Sequence, residues 1–184
     1  MGFVDATRQS IRTQLYLPYS AGGRSVVQLP RVGLLRGIFL HFSGTLTNTI
    51  GGGSAALSGK GPWNLISNVR LLANQGTDII RMDGFGAHLM DIMSAGGLYE
   101  PDDGQRSASF QTSLYQAGVA NGANSWDFNI QLNVTPNERD PQGLVLLQTD
   151  QMACELVIEW NNVGGATFDY PVVLAGGATA VLTG

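Results

Sequence analysis

Along much of this chain apolar residues return at every second position, the repeat that puts alternate side chains on one face of a β-strand. Val32, Leu34, Ile38, Leu40, Phe42 and Leu46 share one parity, broken at Arg36, while Gly33, Gly37, His41, Ser43, Thr45 and Thr47 mostly hold the other. This predicts a long strand with one buried face. Trp126, Phe128, Ile130, Leu132 and Val134 alternate without a fault against Asp127, Asn129, Gln131 and Asn133, and Cys154, Leu156, Ile158 and Trp160 against Ala153, Glu155, Val157 and Glu159. The stretch WNLISNVRLLA, then NQGT, then DIIRMD, predicts two strands joined by a tight turn at Asn74 to Gly76. After a turn at Asn161 to Gly165, TFDYPVVL and ATAVLTG predict the closing strands.

Other segments break the period. Asp83 is the expected N-cap of a short helix in which Phe85, Leu89, Ile92 and Met93 share a face and Gly96 or Gly97 ends the run. ERDPQGLVLLQTD opens on an Asp-Pro pair and predicts a helical turn or two. Ile50 to Pro62 (IGGGSAALSGKGP) reads as a flexible loop, and Leu98 to Ser125 as a long excursion with a short strand near Ser109 to Tyr115. Residues 1–25 combine a short helical pattern, Ala6 to Leu15, with YLPYSAGGRS, and read as an N-terminal arm. Residues 26–184 form the expected single domain. About eight strands with one or two short helices in the connections predict an all-β fold, an antiparallel eight-stranded jelly-roll sandwich.

Composition changes the picture of the surface. Charged residues make up 13% of the 184 residues, glycine contributes 25, and Asn and Gln together 22. Such a surface is mostly neutral and polar. The 43% hydrophobic content argues against disorder, and no apolar run is long enough for a transmembrane helix. The start MGFVDATRQSIRTQ develops no apolar core, so no signal peptide is expected. Residues 1–81 hold seven Arg and Lys60 against Asp5 and Asp78, whereas residues 82–184 hold Arg106 and Arg139 against twelve acids. Two readings follow: opposed faces that join neighbouring copies plus to minus, or halves that intermingle in the fold. Nine Arg against one Lys agrees with interface use, since the planar guanidinium loses less freedom per hydrogen bond.

The search for chemistry returns little. One cysteine, Cys154, excludes an internal disulfide framework, and two histidines, His41 and His88, cannot build a His-rich metal centre. HExxH and GxSxG are both missing, and Gly59-Lys60 fails the phosphate-loop spacing on either side. Glu100, Asp102 and Asp103 lack a calcium-loop spacing and read as a solvated loop. Asn133-Val134-Thr135 matches a glycosylation acceptor but lies at a strand end before Pro136. A basic patch for nucleic acid is confined to Arg8, Arg12, Arg24 and Arg31, with Tyr16 and Tyr19 as the only aromatics beside it. No catalytic set, metal site or cofactor is expected.

The order LLRGIFLHFSGTLTN, a glycine-rich loop, GPWNLISNVRLLANQGTDIIRMDGFGAHLMDIM and later DPQGLVLLQTDQMACELVIEW resembles the upright jelly-roll capsid proteins of the tectivirus and adenovirus lineage, bacteriophages included. The resemblance spans residues 26–183 and rests on order and texture. In that family a Gly-Pro-Trp-like entry precedes a strand and hairpin, and a stretch like Gly143 to Gln148 precedes a strand like Glu155 to Trp160. Its major capsid proteins commonly carry two jelly rolls per chain, whereas this length holds one. The resemblance therefore implies a single-jelly-roll shell subunit, a penton-like or minor component, or half of a larger ancestor. It further implies a virion protein made in host cytoplasm. Its partners are copies of itself and sister capsid proteins, with the arm touching genome, internal membrane or neighbour, and it takes no small-molecule substrate. Arg8, Arg12 and Arg24 are the candidate arm contacts, with Lys60 and Trp63 as interface candidates beside the glycine-rich loop. A reading from another class is a carbohydrate-binding sandwich of a fibre or adhesin, in which Trp63, Trp126 or Trp160 would stack on sugar.

Overall fold

The computed structural model describes residues 16–30, 33–73, 76–94, 115–134, 145–146 and 154–184. Its strands are β1 (Arg24–Gln28), β2 (Leu34–Leu35), β3 (Gly37–Thr49), β4 (Ser54–Leu57), β5 (Ile66–Ala73), β6 (Thr77–Met82), β7 (Tyr115–Ala117), β8 (Gly122–Asn133), β9 (Val145–Leu146), β10 (Cys154–Trp160), β11 (Gly164–Gly165), β12 (Val172–Ala175) and β13 (Thr179–Thr183), with one α-helix, α1 (Gly84–Ser94). Eight of the strands make two four-stranded antiparallel sheets, ordered β1-β10-β5-β6 and β13-β3-β8-β7. Two smaller sheets, β11-β12-β4 and β2-β9, join the connections.

Period-two alternation explains why the two large sheets face each other. In β3 the even positions point inward, and in β8 Trp126, Phe128, Ile130 and Leu132 do the same. Twelve consecutive pairs, Gly37↔Asn133 to Asn48↔Gly122, hold these two strands in register. Phe42 stacks on its partner Phe128 with ring centres 5.0 Å apart. From the opposite sheet, Val27, Ile66, Val69, Leu156, Ile158 and Trp160 close the core. Gly44 sits inward beside the bulk of Trp126, where a Cβ would stand 2.8 Å from the Thr183 carbonyl and 3.1 Å from the Phe42 ring. Only glycine fits there without moving backbone.

Five expectations are corrected. The glycine-rich loop contains β4, whose small residues pair with β12 from Leu57↔Val172 to Ser54↔Ala175. Alanine and serine gave no alternation to read. Within the stretch read as a helical turn, Val145 and Leu146 form β9 against Leu35 and Leu34, and the rest of that stretch lies outside the described residues. The long first strand splits at Arg36 into β2 and β3. The N-terminal segment is not free of the body from residue 16 on. Tyr19 donates its N–H to the Gly184 carbonyl and its hydroxyl to the Asn161 carbonyl, its ring meets Trp160 edge-on, and the sheet begins at Arg24. Burial pushes the Tyr19 phenol up to about 12.

The fifth correction concerns α1. Asp83 caps it as expected, its Oδ1 accepting the Gly86 N–H at 2.7 Å. Its inward face, however, is Gly84, Ala87 and His88, with Leu89, Met90 and Met93 exposed. The side that packs is set by closeness of approach rather than by apolar bulk. Gly84 lies directly against the Trp63 carbonyl, where any Cβ would collide. Of the strand predicted near Ser109 to Tyr115, residues 109–114 lie outside the described residues, as do Glu100, Asp102 and Asp103, while Tyr115 opens β7.

Candidate assembly surfaces

The outward positions of the two large sheets carry different chemistry. On β1-β10-β5-β6 charged residues are mixed with apolar ones, Val26, 49% exposed, pairing with Val157 between the Arg24↔Glu159 and Gln28↔Glu155 pairs. Arg24 faces Glu159 across the β1–β10 pair, and Asn68 donates to Glu159 Oε2 at 3.1 Å. Arg70 grips Asp78 through Nε and Nη2 at 3.1 and 2.9 Å, with Arg81 Nη1 3.8 Å from the same carboxylate. Strands from the basic first part of the chain therefore flank β10 from its acidic second part. The halves intermingle within one sheet, and opposed plus and minus faces do not form there.

The outer face of β13-β3-β8-β7 is mostly uncharged. Phe39, His41, Ser43, Thr45 and Thr47 of β3 stand opposite Gln131, Asn129, Asp127, Ser125 and Ala123 of β8, and β13 adds Thr179, Val181 and Thr183. His41 and Asp127 are the only ionisable groups among these positions. The His41 Nδ1 lies 2.8 Å from Asn129 Oδ1 and 3.7 Å from Asp127 Oδ1. Asp127 Oδ1 and Asn129 Nδ2, both buried, have no hydrogen-bond partner. Phe39 and Val181 are each 60% exposed on this face.

One end of the sandwich is tied by a polar knot. Asn64 donates to Ser58 Oγ and to the Asp169 carbonyl, while Asn161 donates through Nδ2 to the carbonyls of Asn64 and Asp169 and through its N–H to that of Leu65. This fixes the 3₁₀ turn Trp63–Leu65 against the loop that carries the exposed Phe168. Trp63 then stacks on His88, ring centres 3.6 Å apart and nearly parallel, and burial pushes the His88 imidazole down to about 4.

The expected interface residues do not converge. Arg8 and Arg12 lie outside the described residues. Arg24 is exposed in β1, and Lys60 is exposed within the glycine-rich loop. Trp63 is 8% exposed, so in this chain it packs the core instead of standing out as an anchor. Trp126 and Trp160 are buried as well, their indole N–H groups donating inward to the Gly118 carbonyl and Ser25 Oγ. A sugar-stacking surface made from these tryptophans is thereby overturned. Among the described residues no group of three or more His, Cys, Asp and Glu could hold a metal, and no helix is long and apolar enough to cross a membrane. The mostly uncharged sheet face was legible as the polar half of two alternating strands, yet nothing in one strand revealed that both halves share a surface.

No family model matches the chain, and comparison with curated proteins returns no significant match. Solved structures do match. The major capsid protein of STIV superposes with a TM-score of 0.51 at 15% identity, over 82% of this chain and 47% of that one. A solved structure of the Sulfolobus Turreted Icosahedral Virus matches with a TM-score of 0.47 at 14% identity, over 81% of this chain and 43% of the other. The chain spans less than half the length of the structures it resembles. The likeness establishes the fold: a sandwich of antiparallel sheets with one helix among the described residues, consistent with a jelly-roll capsid fold.

Proposed function

We propose that this protein is a capsid shell subunit, a structural component of a virion that assembles through lateral contacts with copies of itself and with a sister capsid protein. The observation that carries the reading is the superposition of 82% of the chain on a virus major capsid protein. Coverage of 47% of that protein supports a chain that supplies one unit where the other carries more. Placement in the tectivirus and adenovirus lineage, with a bacteriophage source, rests on the segment order described above. Scarce charge supports the role, because interface cores are depleted of charged groups and use neutral hydrogen bonds and bridging water. Weak lateral contacts gain strength by recurring around a closed shell. Arg8, Arg12 and Arg24 supply arm contacts to neighbour, genome or membrane, and Lys60 a contact at the glycine-rich loop. The role is structural and not catalytic, and the protein is made in the host cytoplasm.

Light scattering of the purified protein over a range of concentration and salt, with imaging of any large fraction, tests the proposal. Discrete rings, pentamers, hexamers or shells support it. A strict monomer, alone and with its sister protein, overturns it.

A further inference from the structure

Resting on the shell-subunit reading, we infer that the outer face of the β13-β3-β8-β7 sheet is the surface on which a second copy of this chain packs. A strand face meant only for water ordinarily carries Lys, Glu or Arg, which this chain places on its other large sheet. Here eight of the thirteen outward residues are hydroxyls or amides, with His41 and Asp127 the ionisable pair among them. Each hydroxyl or amide can both donate and accept, so the face is complementary to a copy of itself, whereas a face of like charges would repel its copy. Two apolar side chains, Phe39 and Val181, break the polar pattern, each 60% exposed. Val181 pairs with Thr47 of β3, eight residues from Phe39. The two therefore lie about 27 Å apart along the strand direction. Of the four buried polar atoms left without partners among the described residues, two, on Asp127 and Asn129, lie beneath the centre of this face.

The area suffices. Twelve paired positions of β3 and β8, with β7 and β13 beside them, cover about 500 Å² in flat projection at ordinary strand spacing. Two copies face to face bury about 1,000 Å², the lower bound for a specific interface.

The test places a charge mid-face. Thr45→Arg and, independently, Ser125→Arg are compared with Gln28→Arg on the outer face of the other large sheet, all in the full chain. Thermal unfolding confirms that each variant folds, and sedimentation gives the concentration at which it associates. Both face variants are expected to need at least about tenfold more protein to associate, with Gln28→Arg unchanged, because an unpaired charge in an interface is strongly disfavoured. Association that is unchanged in the face variants, or weakened equally by Gln28→Arg, overturns the inference and leaves the shell-subunit reading standing. A wild-type chain that associates with nothing defeats both.

Discussion

Acid should weaken this fold through one histidine. His88 is 6% exposed and lies flat on Trp63, so charging its ring would cost it the water that solvates a free imidazolium. Burial places its folded value at about 4, against 6.5 for a solvated imidazole. Between those values the unfolded chain binds a proton that the folded chain refuses. Stability from the neutral ring is therefore complete above pH 6.5 and is lost as pH falls toward 4, by about 3 kcal/mol over the whole interval. Most of that loss, about 2–3 kcal/mol, has already occurred at pH 4.5 relative to pH 7.5. Neighbouring Asp91 works the other way, since burial raises its carboxyl and favours its protonated form in the fold. That opposing contribution is removed by comparing wild type with His88→Phe, a ring of similar size that cannot be protonated. Urea unfolding of both proteins at pH 7.5 and 4.5 is the assay. The variant should lose about 2–3 kcal/mol less than wild type on acidification. Equal losses in the two proteins would refute the reasoning.

Other substitutions probe the framework. Gly44→Ala should cost about 1–3 kcal/mol by overpacking, read as a lowered unfolding midpoint, because its Cβ meets the Thr183 carbonyl and the Phe42 ring. Tyr19→Phe should cost about 1 kcal/mol by removing the hydroxyl bond to the Asn161 carbonyl while the ring keeps its contact with Trp160, and no change in unfolding would count against that bond. The two-pronged grip of Arg70 on Asp78 is partly buried, so Asp78→Ala should cost about 1 kcal/mol, less at high salt. Cys154 is buried and its thiol is raised by that burial, so a thiol reagent should label it only at the rate of unfolding.

The alternating strands were readable in advance because a two-residue period leaves few other structures for Trp126 to Leu132 or for Cys154 to Trp160. The cap at Asp83 was readable for a similar reason, one side chain satisfying one orphan donor. What escaped reading depended on approach between distant segments. Small residues made β4 look like loop, since Ser54, Ala55 and Ala56 acquire meaning only beside β12. The helix turned His88 and not Leu89 inward because Gly84 admits the Trp63 carbonyl, a contact that no window of local sequence contains. Trp63 looked like an anchor beside a mobile loop until the Asn64 and Asn161 knot drew that loop onto the body. The surface argued to join copies was half-legible: each strand displayed its polar side, but the register between β3 and β8 was needed to make one sheet face of them.

That same register bears on how the molecule comes into being. β3 pairs with β8 on one side and β13 on the other, and β10 lies between β1 and β5. Four of the six strand pairings that define the two large sheets therefore join stretches separated by dozens of residues, two of them by more than a hundred. Loop closure must be borne before such contacts reward it, which sets folding on a slow timescale, milliseconds to seconds, compared with helical proteins. Until β13 arrives, the flank of β3 stands open as an unpaired strand edge, the kind of surface that draws premature partners. Among the described residues the β5–β6 hairpin with the capped helix after it, and the short β7–β8 hairpin, can form from neighbouring sequence, and they are the natural places for ordering to start.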